Sequence, residues 1–255
     1  MDLTAKFEAL SALDPENLTF WQDFFMKFYR AFLEADRWQQ YIGGVGTTLL
    51  VTAMALILGV ILGVVVAMIR TAYDQRRPGR ANPILWVLNL VAKIYVTVIR
   101  GTPMMVQLLI MGMVIFANSR NFTMVGTLTL GINSGAYVAE IIRGGLMSVD
   151  KGQMEAGRSL GLNYFQTMRF IIVPQAIKAI LPALGNEFVV LLKDTSLITV
   201  IGGKELLYAA QGIYNRTYEQ MFPLLGIACI YLLLVCVLSW LLGKLERRLR
   251  QGDRR

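Results

Sequence analysis

Histidine is absent from this 255-residue chain. Imidazole is the commonest general base near neutral pH and the commonest metal ligand, so a Ser-His-Asp triad and a histidine-built zinc site are both excluded. Charge is scarce as well: 16% of the residues are charged, against about a quarter in soluble domains. The two cysteines, Cys229 and Cys236, fall seven residues apart in one apolar run. A disulfide within a helix at that spacing is geometrically unfavourable, and the pair reads as two small apolar residues. No Gly-x-x-x-x-Gly-Lys-Ser/Thr phosphate loop occurs. No cleavable signal peptide is expected, because residues 1–41 carry scattered charges where an apolar core is needed. Internal repeats and low-complexity tracts are missing too.

What the chain has instead is apolar bulk, 55% of all residues, with a mean hydropathy of +0.53. These residues sit in long runs, and roughly 20 mostly apolar residues of helix cross a bilayer. Five runs qualify: Ile42–Ile69, one within Ile84–Ala117, about Phe122–Ile142, about Ile171–Ile201, and Phe222–Gly243. The first contains Gly59 and Gly63, a small-xxx-small spacing that lets helices approach closely. The second is too long for one crossing, since its 34 residues of helix would extend about 51 Å. Asn89, Lys93, Arg100 and the break at Gly101-Thr102-Pro103 interrupt it. Residues 84–99 are therefore expected to form an interfacial lead-in, and 100–117 the crossing. The expected fold is an all-α polytopic membrane protein of about five spans.

Charge placement sets the orientation. Residues 1–41 hold four Lys/Arg against seven Asp/Glu, whereas loop 70–82 holds Arg70, Arg76, Arg77 and Arg80 against Asp74. Loop 118–121 has only Arg120; segment 143–170 holds Arg143, Lys151, Arg158 and Arg169; 203–221 is balanced; and 244–255 has six basic residues. The alternation predicts an N-terminus outside and a C-terminus in the cytoplasm. It also accounts for the net charge of +8 as topology determinants near anionic lipid, without nucleic acid. Within 1–41, aromatic residues from Phe20 to Phe32 recur at helical spacing between charges. An amphipathic helix on the outer membrane surface fits that pattern, with a sixth, partial span as the alternative.

The segment between the third and fourth spans carries strong local signals. Asp150 with Gln153 reads as a capping box, Gly161 as a left-handed stop, and Asn163 with Gln166 as a second box. A short helix over about 151–160 would be some 15 Å long, presented to the cytoplasm as a knob.

Glu155-Ala156-Gly157, with Gly161 following and then Ile171, Val173 and Pro174, resembles the cytoplasmic EAA loop of ABC importer permeases. The family pattern has a second Ala where Gly157 stands and Leu where Val173 stands. Arg100–Gln107, Gly135–Gly145 and Gly185–Leu197 narrow the resemblance to the polar amino-acid branch (histidine, glutamine, arginine, opine), and it covers about 45–245. It implies a MetI-like type I importer fold in a bacterial inner membrane. Residues 1–41 would be an extracytoplasmic segment, 42–245 the permease domain with its coupling loop at 148–170, and 246–255 a basic cytoplasmic tail. Glu155, Ala156, Gly157 and Gly161 would be coupling residues seated on an ATPase subunit. The implied partners are ABC ATPase subunits, a second permease subunit (the same or a sister chain) and an extracytoplasmic binding protein that delivers a polar amino acid. ATP and magnesium would bind those ATPases, leaving this chain without a cofactor and without catalysis of its own.

Glu140, Glu187, Lys193 and Asp194 fall within or near spans, where an unpaired charge costs at least about 2.5–3.5 kcal/mol. Pro182 loosens the ladder of the same helix as Glu187. In one reading Glu187, Lys193 and Ser196, with Gln107 and Met104 opposite, contact an amino-acid substrate, a carboxylate for its ammonium and a lysine for its carboxylate. In the other, Glu187 or Asp194 pairs internally with Lys193, Lys178 or Arg100 and only holds helices together. Glu140 and Arg143, three apart, are expected to pair with each other. An ion-driven secondary transporter is the rival function, although the inverted repeats such proteins show are not seen.

Overall fold

The computed structural model describes residues 3–14, 17–75 and 82–251, with side chains to Leu249. Arg76, Arg77 and Arg80, and the tail beyond Gln251, lie outside the described residues. Among the described residues there are helices and connections but no strand. Two short helices, α1 (Leu3–Ser11) and α2 (Phe20–Phe32), precede the long apolar α3 (Trp38–Asp74). Then come α4 (Pro83–Gly101) and α5 (Met104–Leu109), the latter widening into a π-helical turn at Ile110–Ile115. The long α6 (Phe122–Met147) leads to the short α7 (Lys151–Ser159). One turn of helix, α8 (Tyr164–Thr167), passes through a second π-helical turn at Met168–Ile172 into α9 (Val173–Asp194) and a 3-10 stretch at Thr195–Ile201. The described chain ends with α10 (Leu206–Thr217) and α11 (Met221–Gln251).

Four stretches are long and apolar enough to cross a membrane: Glu34–Asp74, Pro83–Gly101, Tyr164–Ile201 and Met221–Leu249. The fifth expected span, α6, has 26 residues and is rich in glycine and threonine. Protein surrounds it rather than lipid, since it packs on α3, α4, α9 and the stretch after α9. The second span departs from expectation. It is α4, 19 residues with a hydropathy of 1.6, that has the length and composition to cross, not 100–117. The chain leaves helical geometry at Thr102 (φ −117°, ψ 145°), because a proline disfavours the α conformation in the residue before it and cannot donate to the ladder. Beyond that break, Met104–Ile115 extends only about 18 Å.

Small residues set the α3–α6 distance. A Cβ on Gly59 would lie 2.8 Å from the Ser134 hydroxyl oxygen, and one on Gly63 would lie 2.5 Å from Val138. The small-xxx-small spacing thus serves the central contact of the bundle. Around it Val51, Ala55, Leu108, Val125, Leu130, Leu191, Ile198 and Ile201 form one buried cluster drawn from α3, α5, α6 and α9 with its 3-10 extension. A second cluster (Tyr41, Leu206, Ala210, Ile213, Ile227) seats α10 between α3 and α11. The N-terminal aromatic helix joins that end: Phe24 and Phe28 pack edge-on against Phe222 of α11. Phe20 and Trp21 remain exposed.

Candidate functional site

At the α7 end, local chemistry forms the knob. The Asp150 carboxylate accepts from the Gly152 N–H at 2.7 Å and opens α7. Gln153 does not complete the predicted capping box; its amide oxygen accepts from Gln175 Nε2 at 3.2 Å instead. Gly161, at φ 81°, ends the helix as expected, and the Leu162 N–H returns to the Gly157 carbonyl at 3.1 Å. The second capping box is complete, with Gln166 N–H to Asn163 Oδ1 at 3.0 Å and Asn163 N–H to Gln166 Oε1 at 2.9 Å. Gly157 is buried, and a Cβ there would lie 2.6 Å from Thr167 Cγ2. Its missing side chain therefore lets α7 lie directly on α8. Glu155 and Ala156 stay exposed, beside Leu160 (79% exposed) and Phe165 (81%).

In the middle of the bundle, α6 organises the polar residues. Ser134, fully buried, donates to Glu187 Oε1 at 2.8 Å. Its neighbour Asn133 donates from Nδ2 to Gln107 Oε1 at 2.9 Å. Gln107 Nε2 in turn reaches the Ile99 carbonyl and Thr102 Oγ1, both at 2.8 Å. That amide thus ties together the two helices on either side of the α4–α5 break. Consecutive residues of α6 hold Glu187 on one side and Gln107 on the other. Met104 packs against the central apolar cluster. Lys193 and Ser196 lie at the end of α9, where the Ser196 hydroxyl donates to the Lys193 carbonyl at 2.8 Å and the lysine is exposed. Glu187 forms no ion pair with Lys193 or Arg100.

Arg100 is instead drawn to Glu140. That carboxylate meets Arg70 of α3 at 2.6 Å, Arg143 of α6 at 3.0 Å and Arg100 of α4 at 3.8 Å. The predicted Glu140–Arg143 pair is present, and two further guanidiniums gather on the same group. The Arg100 side chain also lies over the Tyr137 ring, 5.2 Å from its centroid. One carboxylate thereby joins three helices.

Residues 81–251 match the family described as the binding-protein-dependent transport system inner membrane component. The glutamine transport system permease protein GlnP of Escherichia coli (strain K12) is 37% identical over 216 residues, covering 82% of this chain and 92% of that protein. The chain belongs to this permease family. A putative glutamine transport system permease of Rickettsia bellii is 36% identical over 214 residues, with the same two coverages. Among solved structures, an amino acid ABC transporter "with histidines" shares 42% identity and a TM-score of 0.74, over 82% of this chain and 94% of that one. The inward-facing MetNI methionine transporter, at 18% identity and a TM-score of 0.70, supports the fold alone. The permease is accordingly a multi-pass inner-membrane subunit of an ATP-driven importer, not an enzyme and not an ion-driven carrier.

Sequence reasoning missed three parts of this permease. Asn133 and Ser134 were legible only as two adjacent polar residues inside an apolar run. Arg70 and Arg100 carried no signal pointing to Glu140, being 70 and 40 residues distant. In the sequence Glu205 is only one charge of the balanced stretch 203–221, yet it is 2% exposed. Its carboxylate accepts from Tyr231 Oη at 2.5 Å, Tyr208 N–H at 3.0 Å and Thr48 Oγ1 at 3.3 Å, fastening α10 to α3 and α11. Burial pushes its pKa up, and those hydrogen bonds pull in the other direction.

Proposed function

We propose that this permease imports a polar amino acid handed over by a binding protein outside the cell, with α7 receiving the stroke of an ATPase subunit in the cytoplasm. The observation that carries the reading is the exposed tip of α7. Glu155 and Ala156 face outward next to uncovered Leu160 and Phe165, while Gly157 and the Gly161 turn root the knob in its own chain. An exposed apolar patch rimmed by charge marks a docking surface. Glu155, Ala156, Gly157 and Gly161 are the coupling residues in this reading. ATP and magnesium belong to the ATPase.

The basic residues near α7 and at the end of α11 support a cytoplasmic C-terminus and an N-terminus outside. Residues 1–41 then form an extracytoplasmic segment at the lipid surface, 42–245 the permease domain with coupling loop 148–170, and 246–255 a basic tail. A second permease subunit completes the pathway. Names of relatives support glutamine as the first substrate to try.

Met104, Gln107, Glu187, Lys193 and Ser196 are the proposed substrate contacts. The hydrogen bond of Glu187 to a neutral serine, with no cation beside it, favours this reading over an internal ion-pair network. A carboxylate kept in the membrane without a counter-ion is available to an incoming ammonium group.

The test is ATP-dependent uptake of a panel of labelled amino acids by the reconstituted importer. Glu155→Lys is expected to abolish uptake while leaving membrane insertion intact. Unchanged ATP-driven uptake by that variant would remove α7 from the mechanism.

A further inference from the structure

Three guanidiniums share the Glu140 carboxylate, and they share it unequally. Arg70 and Arg143 each donate a hydrogen bond to it, at 2.6 and 3.0 Å. Arg100 stands off at 3.8 Å, too far for a hydrogen bond, and its side chain donates none to a described residue. Asp74 also acts on Arg143, so three positive charges meet two negative ones and one guanidinium is left over. The looser contact makes that one Arg100. Its side chain is 43% exposed and lies over the Tyr137 ring, itself 38% exposed. Asn133, Tyr137 and Glu140, at four- and three-residue spacing, share one face of α6. They cover about 10 Å of its length, from the Gln107 hydrogen bond at one end to the arginines at the other. Ile99, next to Arg100 in the chain, accepts from the same Gln107. An uncovered guanidinium is not kept against hydrocarbon, so the free side of Arg100 faces water or a passing solute.

We infer that Arg100 receives the carboxylate of the imported amino acid after it leaves Gln107 and Glu187, on its way to the cytoplasm. The inference rests on the amino-acid permease reading above and extends its substrate path. Along α9, Lys193 lies six residues beyond Glu187 on the side away from α7. Along α6, Glu140 lies six residues beyond Ser134, the partner of Glu187, on the side towards α7. A carboxylate moving inward thus passes from one cation to the next, with the buried Glu187 between them for the ammonium group. The guanidinium offers paired donors that match a carboxylate, and charge-assisted hydrogen bonds are among the stronger polar contacts. Tyr137 holds the guanidinium from one face. Glu140 competes for the same charge, which keeps the hold weak enough for the substrate to leave.

The experiment uses the complete importer, with its ATPases and binding protein, in proteoliposomes supplied with labelled L-glutamine. Arg100→Gln removes the charge and leaves both hydrogen bonds to Glu140 in place. It is expected to lower the maximal uptake rate about tenfold or more, a loss of the size set by hydrogen bonds to a charged group. The half-saturating concentration of loaded binding protein should stay the same, because capture occurs at the other end of the path. Arg100→Lys should restore part of the rate. Arg70→Gln removes the tighter contact to Glu140, and is expected to lower the thermal unfolding midpoint more than Arg100→Gln does but the uptake rate less. Uptake indifferent to Arg100→Gln overturns the inference. So does a rate that falls with Arg70→Gln as far as with Arg100→Gln, which would make the arginines a purely structural cluster. The same rates are measured in phosphatidylcholine vesicles with and without phosphatidylglycerol, and the Arg100→Gln deficit should be equal in both. A deficit seen only with phosphatidylglycerol gives Arg100 to a lipid phosphate and likewise overturns it. Each of these results leaves the amino-acid reading standing, whereas a wild-type importer that takes up no amino acid overturns that reading itself.

Discussion

The bond between Ser134 and Glu187 gives the sharpest test of the bundle. Ser134→Ala removes a donor from a carboxylate that is only 9% exposed, and the small alanine meets no obstacle in a slot already shaped for serine. Leaving a buried acceptor unsatisfied costs about 1–3 kcal/mol, and more for a charged group. A loss of about 2–3 kcal/mol is therefore expected. Glu187→Gln keeps the shape and an acceptor for the serine hydroxyl without the charge, so Ser134→Ala in that background should cost only about 1 kcal/mol, the ordinary net worth of a neutral hydrogen bond. The assay is a double-mutant cycle on the detergent-solubilised permease, followed by thermal unfolding at fixed detergent and lipid. A coupling of about 1–2 kcal/mol is the expected result. A Ser134→Ala cost below about 0.5 kcal/mol, the level of surface substitutions, would refute the reasoning. Glu187 would then be solvated from a pathway side or held by other groups.

Two further outcomes follow from the same geometry. Glu140→Gln strands three guanidiniums gathered from α3, α4 and α6. Because these groups are 20–43% exposed, the loss should fall below the 3–5 kcal/mol of a fully buried broken pair, at about 1–3 kcal/mol; thermal unfolding reads it, and no change would mean the ion pairs are solvated away. Gly157→Leu would drive a side chain into Thr167 and Ile171, an overpacking worth about 1–3 kcal/mol. Protease accessibility of the 148–170 loop should rise while the spans stay inserted, and a loop as resistant as wild type would contradict the contact.

Features written within three or four residues were legible in the sequence. Asn163 and Gln166 declare their own helix start, Gly161 its end, and Glu140 with Arg143 a helical neighbour pair. Where a local signal had a distant competitor, it failed: Gln153 could have closed a box on Asp150, but Gln175, 22 residues on, takes it. The α4 assignment failed for a related reason. Asn89 and Lys93 read as an amphipathic face, yet the decisive event lies at Thr102-Pro103, and nothing local weighs a helix before the break against the short segment after it. Glu187 was legible as a costly charge in a span, and its partner was not. Ser134 is 53 residues away, and only the packing of α6 against α9 brings the two together. A still longer separation, 157 residues, hid Thr48 from Glu205.

The wide turn at Met168–Ile172 has a consequence for comparing this chain with its relatives. A π-helical turn holds one residue more than an α-turn, so everything after it is rotated by about 100° relative to an uninterrupted helix. Face arithmetic such as Glu187 with Asp194 is valid inside α9 but not across the turn to Tyr164 or Thr167. A relative lacking one residue there would register as a single gap in an alignment. In three dimensions that gap would convert the wide turn to an ordinary one and leave the buried face of α9 pointing elsewhere unless the helix slid to compensate. Residue-by-residue transfer of roles between such proteins is safest when counted from Pro174 onward, with the knob counted separately from Gly161.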